Sequence, residues 1–391
     1  MAITDKKTGP WSIDQVYNKI NQGSIWEYSA DDPNALWVWG INTYGQLGLN
    51  QSDDTAYSSP VQIPGTWSKV FPTHKNSDYH ITAGISTSGL YCWGRNHYGQ
   101  LMQNNRVDYS SPVQITGTTW YKVDGAEGLV LATKTDNTFW AWGYNDEGGC
   151  AQNNRTHYSS PVQIPGTTWV QFRATNGDCG GVKSDGTLWV WGRNWRGGLG
   201  QNNLTSYSSP VQIPGTNWSY IANGGSTMFG LKTNGELWGW GRQWGGALGQ
   251  NQGEAGDTYS YSSPVQIPGT NWANIGSDGG YCLAVRTDGT LWSWGYQNRG
   301  TLGQNTQNIC LSSPVQVGGG TDWPKTGEIH AGSTVGIIKT DGTLWTWGDG
   351  TRGETGQNNN IAYSSPVQVP GTWSELDQNS WYGSTIAKTP S

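Results

Sequence analysis

The pentapeptide Ser-Ser-Pro-Val-Gln occurs seven times in this chain of 391 residues, and successive copies are between 49 and 54 residues apart. A second motif, an aromatic residue followed by any residue, Trp and Gly, also occurs seven times. Its glycine always lies 18 to 23 residues before the proline of the pentapeptide. A period near 50 residues is typical of propeller blades rather than of helical repeats. We therefore expect seven copies of one small unit.

Each unit is predicted to contain short antiparallel strands. In residues 180–192, the pair Asp185-Gly186 stands between two strand-like runs and indicates a tight hairpin. Alternation along a strand places Trp189 and Trp191 on one face, and the fourteen equivalent aromatic positions are expected to pack between blades. The Pro-Val-Gln segment predicts a further strand, opened by proline. Helical periodicity is absent, so the predicted fold is all-β, a seven-bladed β-propeller.

The two ends of the chain complement each other. Residues 383–389 match the first strand of a hairpin, whereas residues 35–40 supply a second strand with no first strand before it. The prediction is a propeller closed by pairing of the N- and C-terminal strands in one blade, which removes free sheet edges. Two domains are expected: an attachment segment with a short helix at residues 1–30, and the propeller at residues 31–391.

The repeat motifs Asp-Gly-Thr-Leu-Trp-x-Trp-Gly, Gly-x-Leu-Gly and Ser-Ser-Pro-Val-Gln resemble those of the regulator of chromosome condensation repeat family, across residues 34–389. This resemblance implies a seven-bladed propeller with a small central channel. The best-known activity of the family is nucleotide exchange on a small nuclear GTPase, combined with chromatin docking. The sequence starts without a basic tail and carries no long inserted hairpin, so the resemblance predicts the fold and not that activity.

Composition limits the partners. The formal net charge is −6 and no run of Lys or Arg occurs, which argues against a nucleic-acid partner. No apolar stretch approaches the ~20 residues of a membrane helix, so no membrane insertion is expected. The odd number of cysteines, without CxxC spacing, predicts buried free thiols in a reducing cytoplasm rather than disulfides or a zinc site. These cysteines are Cys92, Cys150, Cys179, Cys282 and Cys310.

Catalytic signatures are also missing from the sequence. The five histidines lie at non-equivalent points of different repeats, and most aspartates belong to Asp-Gly turns. There is no nucleophile elbow, no phosphate-binding loop, and no pair of carboxylates placed to flank a glycosidic bond. The recurring Gln-Asn-Asn runs are expected to form turns. We therefore predict no enzyme, no catalytic residue, no metal site and no cofactor.

The residues after each Trp-Gly vary between repeats although the strand before them does not. We call residues 41–44, 95–98, 144–147, 193–196, 242–244, 296–299 and 349–352 the crown loops, since they should lie together on one face of the ring. Their Tyr, Trp and Arg side chains are typical of binding hot spots. The alternative is that some pack over neighbouring blades. The candidate binding residues are Tyr44, Arg95, His97, Tyr98, Tyr144, Arg193, Trp195, Arg196, Arg242, Trp244, Tyr296, Arg299 and Arg352.

Residues 12–21 predict a short amphipathic helix with a capping serine. The helix could pack on the propeller as a plug or dock onto a larger assembly. The segment Gly-Pro-Trp-Ser-Ile-Asp-Gln-Val-Tyr at residues 9–17 resembles the openings of tail and other virion proteins of bacterial viruses. The candidate attachment residues are Trp11, Ile13, Val16, Tyr17, Ile20 and Trp26.

The predicted function is a non-enzymatic binding or structural propeller of a bacteriophage virion, made in the host cytoplasm. It would decorate the particle or bind a host-surface protein or glycan through the crown loops, and residues 1–30 would attach it to other virion proteins. Two alternatives stay open. One is a cellular protein-interaction module of the same repeat family, either an inhibitor or similar to an exchange factor; the other is a carbohydrate-binding, lectin-like propeller.

Overall fold

A computed structural model of the chain describes residues 36–52, 56–72, 81–103, 105–117, 119–126, 128–175, 177–252, 259–297, 299–378 and 385–388. These residues form seven antiparallel sheets, six with four strands and one with three. Within these ranges the single helical element is a 3-10 turn at Trp244–Gly246. The prediction of an all-β, seven-bladed propeller is confirmed.

The strands follow the repeats closely. The chain begins with β1 (Leu36–Ile41) and β2 (Ala56–Ile63). Blade 2 contains β3 (Trp67–Pro72), β4 (Ile81–Ser86), β5 (Gly89–Gly94) and β6 (Tyr109–Gln114). Blade 3 contains β7 (Trp120–Ala126), β8 (Leu129–Lys134), β9 (Phe139–Gly143) and β10 (Tyr158–Ile164). Blade 4 contains β11 (Trp169–Thr175), β12 (Asp178–Lys183), β13 (Leu188–Gly192) and β14 (Tyr207–Ile213).

The second half of the ring repeats this arrangement. Blade 5 contains β15 (Trp218–Gly224), β16 (Thr227–Lys232), β17 (Leu237–Arg242) and β18 (Ser260–Gln266). Blade 6 contains β19 (Trp272–Asp278), β20 (Tyr281–Arg286), β21 (Leu291–Gln297) and β22 (Ile309–Gln316). Blade 7 contains β23 (Thr334–Ile338), β24 (Leu344–Gly348) and β25 (Tyr363–Val369). Last come β26 (Glu375–Gln378) and β27 (Thr385–Lys388), which complete blade 1.

Blade 1 closes the ring. Its strand order is β2-β1-β27-β26, and Trp37 of β1 pairs with Ala387 of β27. On the side facing blade 7, Gly353 approaches Ser58 so closely that an added Cβ would collide with the serine backbone. Gly353 also has a φ of +84°, a conformation that side chains other than glycine rarely adopt. The predicted closure by both chain ends is confirmed.

Each blade is packed on both faces. In β13 the side chains of Leu188 and Val190 are buried as fully as that of Trp191, while Trp189 is half-buried. The fourteen aromatic positions therefore share the packing between blades with the aliphatic positions on the opposite face. The first strand of each blade lies innermost, where β3, β7, β11, β15 and β19 contact their neighbours around the channel.

A hydrogen bond from a tryptophan indole joins each blade to the one before it. In blade 4, Trp191 Nε1 donates to the carbonyl oxygen of Gly149 in blade 3, at 2.8 Å. All seven blades make this bond, with distances from 2.8 to 3.1 Å. The pairs are Trp39–Glu354, Trp93–Gln46, Trp142–Gln100, Trp191–Gly149, Trp240–Gly198, Trp294–Ala247 and Trp347–Thr301. We call these bonds the indole latches.

The Gln-Asn-Asn runs supply a second link between blades. Asn202 has a φ of +56°, and its backbone N–H donates to the carbonyl oxygen of Ser262, the first serine of the pentapeptide in the next blade. Ser263 Oγ bonds Asn202 Oδ1 at 3.3 Å. Asparagine tolerates this left-handed conformation better than most residues. The runs are therefore turn formers, as predicted, and they explain why the two serines recur.

We predict that Trp191→Phe lowers the free energy of unfolding by about 2–4 kcal/mol, because it leaves the buried Gly149 carbonyl without its donor and removes indole volume. Trp189→Phe is the matched control. Its Nε1 bonds Thr187 Oγ1 at a half-buried position, so the expected loss is at most about 1 kcal/mol. Urea unfolding of both variants measures the difference. Equal losses would show that the latch contributes no more than a surface bond.

Candidate functional site

The crown loops share one internal frame. In blade 4 the buried Asn194 accepts the Leu199 N–H on Oδ1 at 2.9 Å and donates from Nδ2 to the carbonyls of Asn203 and Thr205. A side-chain oxygen accepts the same N–H, five residues on, at Asn42, Asn96, Asn145 and Gln243. In blade 6, Gln297 Oε1 accepts the Thr301 N–H four residues on. In six of the seven crown loops the second residue is therefore a buried frame, which corrects the expectation that whole loops are variable surface.

The candidate residues of blades 1 to 3 contact each other from loop to loop. Arg95 lies over the ring of Tyr44, 4.8 Å from its centroid, and bonds the exposed His97 at 3.0 Å. The rings of Tyr98 and Tyr144 meet at 5.1 Å in an edge-on arrangement. These contacts show that the crown loops lie side by side on one face. They also show that several candidates pack over a neighbouring blade, as the alternative predicts.

The candidates of blades 5 to 7 continue this row. Trp244 and Tyr296 have ring centroids 4.8 Å apart. Arg299 forms an ion pair with Asp349 of blade 7, whose carboxylate is buried. Arg352 lies exposed at the end of the row. The crown is thus a continuous surface in which aromatic contacts and an ion pair join neighbouring blades.

Blades 4 and 5 present the most exposed aromatic side chain of the crown. Trp195 is 64% exposed, and Arg193 covers one of its faces at 4.8 Å. The Arg193 Nε lies 3.4 Å from the carboxylate of the buried Asp178, which fixes the arginine. Partial burial and the charge of Arg196 both lower the pKa of Arg242, so these two cations interact. We call Arg193, Trp195, Arg196 and Arg242 the arginine–tryptophan sector.

Charged side chains from blades 3, 4 and 7 meet across the central channel. Glu328 of blade 7 reaches Lys122 of blade 3 at 3.3 Å and forms an ion pair with Arg173 of blade 4. Arg173 also bonds the Tyr220 hydroxyl at 2.7 Å and lies 3.8 Å from Asp124. Burial alone would raise the pKa of Glu328, but Arg173 and Lys122 hold it well below its usual range. The sequence analysis did not predict this cluster, although charged residues within the innermost strands, such as Lys122 in β7 and Arg173 in β11, were a visible signal.

Glu354 lies beneath the crown at the contact between blades 7 and 1. It is 1% exposed, and its Oε2 accepts the Arg352 N–H at 2.7 Å. Gln46 and Gln100 make the same bond with their amide oxygens in blades 1 and 2. Burial raises the pKa of Glu354 to about 7. Below about pH 7 the folded protein therefore holds a neutral carboxylic acid where two other blades hold a neutral amide.

We predict that Glu354→Gln stabilises the protein at pH 8 by up to about 3 kcal/mol and has little effect near pH 4. The unfolded chain loses this proton near pH 4.5, whereas the folded chain keeps it until about pH 7. Stability of the wild type therefore falls as pH rises through that window. Unfolding free energies of both proteins across this pH range measure the difference. A difference independent of pH would contradict this assignment.

The other predicted features have mixed outcomes. Four cysteines are buried and Cys310 is half-buried, all as free thiols, and burial raises the pKa of Cys92 to about 12. In the described ranges no group of three His, Cys, Asp or Glu residues could hold a metal ion. None of the helices described there has the length and hydropathy to cross a membrane. The candidate attachment residues Trp11, Ile13, Val16, Tyr17, Ile20 and Trp26 lie outside the described residues.

Comparison with known proteins identifies the repeat. The model of the regulator of chromosome condensation (RCC1) repeat matches residues 34–73, 88–125 and 185–231. The serine/threonine-protein kinase Nek9 of Xenopus laevis is 28% identical over 97 residues, which are 25% of this chain and 10% of the kinase. The ultraviolet-B receptor UVR8 of Arabidopsis thaliana is 32% identical over 82 residues, 21% of this chain and 18% of the receptor. The matches thus span less than a fifth of these relatives.

Solved structures show the same fold over nearly the whole chain. Human WBSCR16 superposes with a TM-score of 0.77 and 18% identity, covering 91% of this chain and 99% of that protein. Prp20p of Saccharomyces cerevisiae superposes with a TM-score of 0.76 and 16% identity, covering 93% of each chain. Yeast RCC1 (Prp20) in complex with Kap60 superposes with a TM-score of 0.74 and 16% identity, covering 99% of this chain and 95% of that protein. The family model thus confirms RCC1 repeats at residues 34–73, 88–125 and 185–231, and the solved structures confirm the propeller fold.

Proposed function

We propose that this propeller of RCC1 repeats is a non-enzymatic protein-interaction module that binds its partner through the crown. The observation that carries the proposal is the arginine–tryptophan sector, where Trp195 is 64% exposed between arginines. Tryptophan and arginine are the residue types most enriched among interface hot spots. An indole that is 64% exposed packs little within its own blade and leaves most of its surface available to a partner.

The sector is held in place before any partner arrives. Asn194 closes the loop that carries Trp195, and Asp178 fixes Arg193 from below. Side chains that are already ordered lose less conformational entropy on binding, which raises affinity. The same contacts make the surface specific, because the buried Asp178 sets the position of the Arg193 guanidinium group.

The charge of the sector indicates an acidic surface on the partner. Arg196 is exposed, and its charge lowers the pKa of Arg242, so the two cations repel each other in the free protein. A carboxylate placed between them would relieve this repulsion. Charge complementarity of this kind orients partners and increases association rates.

The relatives support a protein partner. Prp20p binds Gsp1p and histones, and yeast RCC1 (Prp20) has been seen bound to Kap60. Their identity to this chain is only 16%, so they support a protein as the type of partner but do not indicate which protein it is. Exchange-factor activity is one form of the hypothesis of a cellular interaction module, but none of the crown residues described above supports it.

The virion and glycan hypotheses have less support. The proteins named in the comparisons are proteins of eukaryotic cells, and the resemblance of residues 9–17 to virion proteins has no support among them. A sugar ring stacks on an open indole face, and Arg193 covers one face of Trp195, so only its other face is available for stacking. These observations favour the cellular interaction module over both other hypotheses.

We expect the double variant Trp195→Ala/Arg196→Ala to bind the natural partner at least ~30-fold more weakly, as removal of a hot spot costs about 2 kcal/mol or more. The partner is first captured from extracts of the source by the wild-type chain and identified by mass spectrometry; titration calorimetry then gives the dissociation constants. Val170→Ala is the control, since Val170 is 56% exposed near the opposite end of blade 4. Unchanged binding by the double variant would exclude this sector.

A further inference from the structure

A cation clamped between two aromatic rings recurs on the face opposite the crown. In blade 4, Lys183 lies 4.8 Å from the ring centroid of Trp169 and 4.5 Å from that of Trp189. Each of blades 3 to 7 has such a clamp, with distances from 3.9 to 5.2 Å. The clamped cations are Lys134, Lys183, Lys232, Arg286 and Lys339.

Blade 2 keeps the rings and lacks the cation. Trp67 pairs with Ser86 in the same register in which Trp169 pairs with Lys183. The rings of Trp67 and Tyr91 lie 5.6 Å apart, edge to face. Within the described part of the chain, no Lys or Arg side chain lies over either ring. A serine thus stands where five other blades supply a positive charge.

The hairpin of blade 2 also replaces charge with hydroxyl groups. Ser86 Oγ lies 2.8 Å from Ser88 Oγ, which lies 3.0 Å from the Tyr91 hydroxyl. In blade 4 the equivalent turn carries Asp185 beside Lys183, and hydrogen bonds from Thr187 together with the charge of the lysine lower the pKa of that aspartate. Three hydroxyl oxygens beside an aromatic ring can accept hydrogen bonds from an ammonium or guanidinium group.

These groups line an open groove between blades 1 and 2. The groove has a volume of about 760 Å³ and includes Trp67, Ser86, Ser88 and Tyr91 in its wall. Trp67 is 4% exposed, similar to the 5% of Trp120 beneath Lys134, so the open ring surface belongs mainly to the half-buried Tyr91. The groove has room for a side chain and its flanking backbone.

We propose that this site of blade 2, the open clamp, takes a lysine or arginine side chain from a basic segment of a partner protein, against the ring of Tyr91 and the hydroxyl groups of Ser86 and Ser88. The five filled clamps are the template, because they show that this pair of positions holds such a cation in this scaffold. The net charge of −6 favours the approach of a basic segment. Desolvated cation–π contacts stabilise such complexes. The clamp lies at the hairpin end of the blade, opposite the crown, and does not depend on the crown's function.

The test is titration of the whole protein with acetyl-Gly-Lys-Gly amide, its arginine counterpart and its norleucine counterpart, followed by NMR of the Tyr91 ring. Both cationic peptides should shift the Tyr91 signals with millimolar dissociation constants, and the norleucine peptide should bind at least tenfold more weakly. Equal binding of the norleucine peptide, or no shift with any peptide up to about 50 mM, would overturn the proposal.

Two variants separate clamp filling from charge. Ser86→Lys should fill the clamp from within, move the Tyr91 signals as the peptides do, and weaken peptide binding at least tenfold. Thr87→Lys adds the same charge at the exposed neighbouring position and should change binding less than threefold. Equal weakening by both variants would mean that the peptides respond to net charge alone, which contradicts a clamp.

Discussion

The ring depends on the seven indole latches. Each latch buries an indole donor and a backbone carbonyl acceptor, so the blades must stand at one spacing for all seven to form. The latch from Trp39 to Glu354 joins blade 1 to blade 7 and makes the ring a closed unit. Because the acceptors lie in the loops that follow the crown residues, the same bonds fix the crown. Scaffold and binding surface are therefore built by one interaction.

Much of this could be predicted from the sequence, since the chain contains seven versions of the same unit. Invariant residues such as Trp191 and Ser262 had to serve packing, and the matching chain ends indicated closure. The buried asparagine frame was missed because it stands inside a variable loop. Its signal was present all the same: Asn42, Asn96 and Asn194 recur two residues after a Trp-Gly pair.

Other features required the three-dimensional ring. Lys122, Arg173 and Glu328 belong to blades 3, 4 and 7, and no spacing in the sequence indicates that they meet across the channel. The open clamp became visible only from the strand register that aligns Ser86 with Lys183. The partner is not encoded in the repeat at all, because the crown residues differ from blade to blade and follow no shared rule.

The propeller thus presents two chemically distinct faces, a basic and aromatic crown and a hairpin face with one open clamp. The central claim is that the crown binds the partner. Hydrogen–deuterium exchange of the protein with and without its natural partner tests it most directly. The account predicts protection on binding in residues 193–196 and 242–244 and none in the hairpin turn at residues 184–187. Protection confined to the hairpin face or the outer rim would contradict it.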